Sequence, residues 1–281
     1  MPTPLVETAT VPGKCVLVTG KKRDGKSYFV YHQIFLRFKG PAVYVDPKGA
    51  DPYIRGEIRH TTAEVKSHPA NKIIFRPVAG TSPSGFDEEV MALITYLIDW
   101  KRGWPDASLL IVLDESQRYM GKAGMEEGPD ILVQTCSALN ISTVLVNPDY
   151  MTVPRQLYVQ SDFVIFFTAH KVLSMYLDER MMTAIPPRGM QHLERNRTEL
   201  MSKKGYGIMY DWSNWWLVYP DGHMDGPIAA EDGENGTSDD DKGDTEAEER
   251  GPVKPDIPDG GGRAKGDVPD NAGSGPPGPV K

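Results

Sequence analysis

Two cysteines, Cys15 and Cys136, in a chain of 281 residues exclude a disulfide-stapled scaffold. Both lie in apolar or mixed segments and read as reduced, buried thiols. No apolar stretch approaches the roughly 20 residues that a spanning helix needs, so a membrane role would require a partner. Residues 1–13 show no basic start followed by an apolar core, which argues against a signal peptide. His60, His170 and His192 have no metal-ligand spacing, and no internal repeat is visible. These exclusions leave the expectation of a soluble, intracellular protein whose chemistry does not rest on a dedicated metal cage.

Aromatic residues vanish after His223, and the charge is divided unevenly. Residues 221–281 carry 16 acidic and 6 basic side chains, whereas residues 1–220 carry 23 and 25. The net charge of −8 therefore belongs to the end of the chain. Gly, Pro, Asp and Glu dominate there, as in Glu231-Asp232-Gly233-Glu234 and Asp239-Asp240-Asp241. Such a segment buries too little apolar surface to offset chain entropy. The expectation is a globular domain over residues 1–222 and a disordered, acidic Gly/Pro-rich tail over 223–281. The near-neutral body neither requires nor excludes nucleic acid, because local patches matter more than the sum.

Within the body, strand and helix patterns alternate. Cys15-Val16-Leu17-Val18-Thr19 is a short β-rich apolar run, as a buried parallel strand would be. Helical spacing follows from Ser27 to Phe38. Further strands are expected at Ala42–Val45, Lys72–Arg76, Leu109–Leu113, Ser142–Val146 and Phe163–Phe167. Helices are expected at 86–101, with Val90, Leu93, Ile94, Leu97 and Ile98 on one face, and at 131–139. Residues 206–219 read as a hairpin turning at Asp211-Trp212-Ser213-Asn214. Trp212, Trp215 and Trp216 could stack on bases or simply pack the hairpin on the sheet. The alternation predicts an α/β fold with a largely parallel central sheet.

The strongest motif is Gly20-Lys21-Lys22-Arg23-Asp24-Gly25-Lys26-Ser27, a complete phosphate-binding loop between a strand and a helix. Gly20 and Gly25 allow the backbone to turn its N–H groups inward on phosphate oxygens. Lys26 would reach the β- and γ-phosphates of ATP, the Ser27 hydroxyl would hold Mg²⁺, and the helix start adds its positive end. Lys21, Lys22 and Arg23 make the loop unusually basic. They are either solvated or placed to touch phosphates of a neighbouring subunit.

The second motif is the apolar run Leu109–Leu113 ending in Asp114-Glu115, which puts two carboxylates at the carboxyl end of a buried strand. Asp114 would orient Mg²⁺, and Glu115 would polarise the water that attacks the γ-phosphate. Asn147, closing the Ser142–Val146 strand, could sense the γ-phosphate or position that water. Asn147-Pro148-Asp149 is equally a sound turn. Arg155 and Arg180 are candidates for an arginine supplied across a subunit interface, with surface ion pairing as the bland role for each.

Several of these pieces, taken together, resemble the FtsK/HerA superfamily of DNA-pumping ATPases. They are Val18 through Ser27, the strand ending Asp46-Pro47-Lys48-Gly49, Val112-Leu113-Asp114-Glu115, and Val144-Leu145-Val146-Asn147-Pro148 followed by Pro154-Arg155-Gln156-Leu157. Gly205-Tyr206-Gly207-Ile208-Met209-Tyr210 looks like the closing segment. The resemblance covers roughly residues 14–220, and with the phosphate loop it implies that the α/β domain is a RecA-like P-loop NTPase. A compact body without membrane segments looks, within that superfamily, like the genome-packaging ATPases of tailless icosahedral viruses with internal membranes. The resemblance implies an ATP-hydrolysing homo-oligomeric ring, a hexamer by preference, that moves double-stranded DNA. It also implies a capsid or vertex protein as a partner, in the host cytoplasm or at the virion vertex. Asn147 stands where that family usually has Gln, and the phosphate loop is basic where relatives are often rich in small residues. Other readings are a HerA-like cellular or plasmid translocase or helicase, a filamentous-phage assembly ATPase, and a scaffold that binds ATP without turnover. The phage ATPase usually carries a membrane helix, and a scaffold has no use for Glu115.

Overall fold

Strand β2, Cys15–Thr19, is buried at all five positions, with Val16 and Val18 in one apolar cluster and Leu17 in another. The same alternation runs through β3 (Ala42–Val45) and β6 (Leu109–Leu113). A strand covered on both faces has no polar side to show, hence the unbroken apolar runs. The computed structural model describes residues 3–49, 52–67, 71–78, 83–119, 128–149, 153, 155–168, 185–198 and 205–228. The chain divides into units 1–234 and 235–281, and every described residue falls in the first.

The remaining strands are β1 (Thr3–Pro4), β4 (Glu57–Arg59), β5 (Lys72–Phe75), β7 (Ile141–Asn147), β8 (Phe163–Phe166), β9 (Gly207–Tyr210), β10 (Trp215–Val218) and β11 (His223–Ile228). They form one sheet in the order β1-β11-β10-β9-β8-β2-β7-β6-β3-β5-β4. The pairs from β4 to β8 are parallel; those from β8 to β1 are antiparallel. The expected α/β fold with a largely parallel centre is therefore present.

One face is covered by α4 (Pro83–Gly103), α5 (Gly128–Leu139), α6 (Arg155–Gln160) and α7 (Pro187–Thr198). In α4, Val90, Leu93, Ile94, Leu97 and Ile98 are buried, as their spacing demands. The other face is covered by α1 (Leu5–Ala9) and by α2 (Lys26–Phe29) with its continuation Val30–Phe35. A short helix, α3 (Thr62–Ser67), flanks β4.

Three points stand out against the sequence reading. Helical spacing after Ser27 is real, but Val30–Phe35 is π-helical, with Leu36 N–H donating to Tyr31 C=O at 2.9 Å. The wider turn lets Tyr31 and Phe35 both set their rings against Tyr44 of β3, at 5.8 and 5.6 Å. Second, of the two uses open to the hairpin tryptophans, packing is the one the structure shows. Trp215 is buried against Tyr210 and Phe166, while Trp212 and Trp216 donate their indole N–H groups to Ser161 C=O and Asp211. Third, the boundary expected at 222 falls inside the sheet. His223–Ile228 is strand β11, pairing with β10 and β1 and burying Met224 and Ile228. Its Gly-Pro pair and polar flanks resemble the tail in composition, which hides two anchoring apolar residues. Residues 229–281 lie outside the described residues.

Candidate functional site

The strand order fixes the site. The chain leaves β2 and skips two places to β3, so β7 and then β6 fill the gap. The carboxyl ends of β2, β7 and β6 therefore stand side by side, carrying the phosphate loop, Asn147 and Asp114-Glu115. Thr19 is level with Asn147, and Leu113 with Leu145. Open α/β sheets bind ligands at such a crossover, outside the carboxyl ends of the strands.

Residues 20–25 turn between β2 and α2 through three positive φ angles, Gly20 at 154°, Arg23 at 73° and Gly25 at 86°. A Cβ on Gly20 would meet Phe167 Cβ and Thr168 Oγ1, each at 3.0 Å, so glycine is required there for space as well as for φ. The loop is tied down from β8's end: the Lys21 N–H donates to Thr168 Oγ1 at 2.6 Å and to Asp24 Oδ2 at 3.0 Å. The Thr168 hydroxyl donates to the same Asp24 carboxylate. Lys26 is nearly buried and donates from Nζ to the Lys21 carbonyl at 2.6 Å, spanning the loop from inside. Burial lowers its pKa to about 8, against the opposing pull of Asp24 and Asp114.

Asp114 is buried at the end of β6, and burial raises its pKa to about 6. Hydrogen bonds from Ser27 and Tyr44 pull the other way, the Tyr44 hydroxyl reaching Oδ2 at 3.0 Å. Glu115 donates its N–H to Asp114 Oδ1 at 2.9 Å and takes a positive φ of 52°, uncommon for a non-glycine residue. Its carboxylate forms an ion pair with Lys48, at the end of β3. Lys22, Arg23, Gly25, Lys26, Ser27, Tyr28, Lys48, Tyr53, Asp114, Glu115 and Pro148 line one cavity of about 270 Å³. Four of those side chains are cationic and two are acidic, a balance suited to a polyanionic ligand.

The structure thus brings together the loop, Asp114 and Glu115. Lys22 and Arg23 line this chain's own cavity. Asn147 is fully buried, and its Oδ1 accepts the Gln117 N–H at 2.9 Å, pinning the turn that follows Glu115. Its Nδ2 has no hydrogen-bond partner among the described residues. Arg155 begins α6, but its side chain lies outside the described residues, as does all of Arg180. Lys48, Tyr44 and Thr168 were not anticipated in the site. Asp46-Pro47-Lys48-Gly49 reads in the sequence as a strand end, and its lysine is the available signal. Tyr44 and Thr168 carry no sequence signal, because their hydroxyls reach the site only through strand pairing.

No family model and no curated protein matches the chain. Solved structures do. The DNA-packaging ATPase B204 of Sulfolobus turreted icosahedral virus superposes with a TM-score of 0.53 at 15% identity, over 78% of this chain and 99% of that one. The genome-packaging NTPase B204 of Sulfolobus turreted icosahedral virus 2 matches in its sulfate complex at 0.52 and 14%, covering 78% and 98%. Its AMPPCP complex also gives 0.52 and 14%, covering 77% and 98%. The likeness establishes a shared P-loop fold, in which this chain resembles viral packaging ATPases.

Proposed function

We propose that the protein is an ATPase that hydrolyses ATP to move double-stranded DNA into a viral capsid. The observation that carries the reading is the cavity in which Lys26, Ser27, Asp114 and Glu115 converge at the ends of β2 and β6. Backbone N–H groups of the turn and the Lys26 ammonium would hold the phosphates, and Glu115 would take the proton of the attacking water. Ser27 and Asp114, already hydrogen-bonded, offer the hard oxygen donors that Mg²⁺ takes alongside substrate phosphates and waters. Mg²⁺ held there would neutralise charge on the transferring phosphoryl group.

The fold shared with B204, described as a DNA-packaging ATPase, supports packaging over the other motor readings. Translocation would need a homo-oligomeric ring, a hexamer by preference, in which an arginine such as Arg155 or Arg180 completes a neighbour's site. A capsid or vertex protein would then be the docking partner. The test is ATP turnover by the full chain with duplex DNA, single-stranded DNA or neither, beside a Lys26→Ala control. Stimulation by duplex, with turnover per subunit rising with protein concentration, is expected. Turnover indifferent to DNA would remove translocation, and turnover surviving Lys26→Ala would remove the ATPase assignment.

A further inference from the structure

Lys48 sits on a turn built to hold it. Asp46, almost wholly buried, accepts the Gly49 N–H on Oδ1 at 3.1 Å and the Arg76 Nε–H on Oδ2 at 2.9 Å. Arg76 in turn donates to Ile54 C=O at 3.0 Å, and Gly49 closes the turn with a φ of 60°. Strand β3 lies beside β6 with Val45 level with Leu113, so the turn faces Asp114-Glu115. The result is the ion pair between Lys48 Nζ and Glu115 Oε1, inside the cavity. The Glu115 side chain is 19% exposed and that of Lys48 51% exposed. Glu115 is thus the sheltered partner and Lys48 the one with room to leave.

We propose that Lys48 is a positioning residue that restrains Glu115 by holding Oε1, so that opening of the pair frees that oxygen, and the orientation of the carboxylate, for taking a proton from water. The inference rests on Glu115 being the base of an ATPase. An oxygen held by an ammonium cannot also accept a hydrogen bond along the same line from the attacking water. The restraint keeps hydrolysis slow when the protein is idle, which a motor needs if turnover is to track work.

The experiment compares wild type, Lys48→Met and Lys48→Arg, all full length and without DNA, at one protein concentration. Phosphate release gives kcat and KM, and anisotropy of a fluorescent ATP analogue gives affinity. Methionine keeps the length of the stem and removes the charge, whereas arginine restores a carboxylate partner. Lys48→Met should raise kcat about threefold or more with KM and analogue affinity within about twofold, and Lys48→Arg should return kcat toward wild type. A lower kcat in Lys48→Met would mean that Lys48 assists the transition state, and a raised KM with weakened affinity would mean that it binds nucleotide. Either result, or no change at all, overturns the restraint. If wild type shows no turnover that Lys26→Ala removes, the ATPase reading falls first and the restraint falls with it.

Discussion

Lys26 and Glu115 differ in what their removal should do, and the geometry says why. Lys26 is a nearly buried cation whose present partner is a carbonyl of its own loop, so its place is set before any phosphate arrives. Lys26→Ala removes the cation at the loop's centre and should abolish binding of a fluorescent ATP analogue. Glu115→Gln keeps the shape and the backbone hydrogen bond to Asp114 but removes the proton acceptor. It should bind the analogue as wild type does, with turnover lowered by about two orders of magnitude or more in a phosphate-release assay. Turnover within about threefold of wild type would show that another group is the base. Both residues were legible in the sequence, because a phosphate loop and an acid-terminated strand are local patterns with fixed spacing. Lys48 and Tyr44 were not legible as site residues. Their nearness to Glu115 and Asp114 follows from β3 lying next to β6, which no local spacing encodes.

At the scale of elements, the apolar strands and the long helix α4 could be read with bounds close to those observed, since period and burial agree in them. The helix α7 could not. Its buried positions Gly189, His192, Leu193 and Asn196 have helical spacing, but three of the four are not hydrophobic. Hydrogen bonds replace apolar contact there. Asn196 donates to Phe167 C=O at 2.8 Å and Tyr206 C=O at 2.6 Å, and accepts from the Gly205 and Tyr206 N–H groups at 3.1 and 3.0 Å. One amide side chain thereby locks α7 to the ends of β8 and β9. Asn196→Ala should cost about 2–4 kcal/mol in denaturant unfolding, while Glu194→Ala on the exposed side should stay within about 0.5 kcal/mol. His192, one turn earlier, bonds Val218 C=O at 2.8 Å, and burial lowers its pKa. The unfolded state then binds a proton that the folded state resists, so this residue's contribution to stability is lost as pH falls through the ordinary histidine value of about 6.5. Thermal unfolding between pH 7.5 and 5 should show a drop that His192→Gln reduces, and an equal drop in the variant would place the acid sensitivity elsewhere.

The whole molecule joins a sheet-centred body to a strongly acidic continuation, and the place where one gives way to the other can be tested. Charge and composition point to residue 222, because Asp221 and Asp225 already look like the acidic stretch. The sheet runs on to Ile228. Strand β11 gives β10 its second neighbour and β1 its only one in the sheet order, and the Leu5 N–H that begins α1 donates to Gly222 C=O at 2.8 Å. Removing residues 223–281 would leave β1 without a strand partner and β10 with β9 alone, expose Met224's packing partners and loosen α1. Removing only residues 229–281 would leave every described strand in place. Those residues carry 14 acidic and 6 basic side chains, enough to compete as a tethered polyanion with DNA for basic residues. The two truncations should therefore separate fold from charge. Deletion of 223–281 should lower the melting temperature by several degrees or yield aggregated protein, and deletion of 229–281 should leave it within about 2 °C. The shorter deletion should also tighten duplex binding at low salt, with the gain shrinking as salt rises because counterions screen both competitors. Unchanged DNA affinity at low salt would eliminate competition and leave solubility or docking on a basic capsid protein. A melting temperature equally low in both truncations would show that residues beyond Ile228 also hold the sheet together.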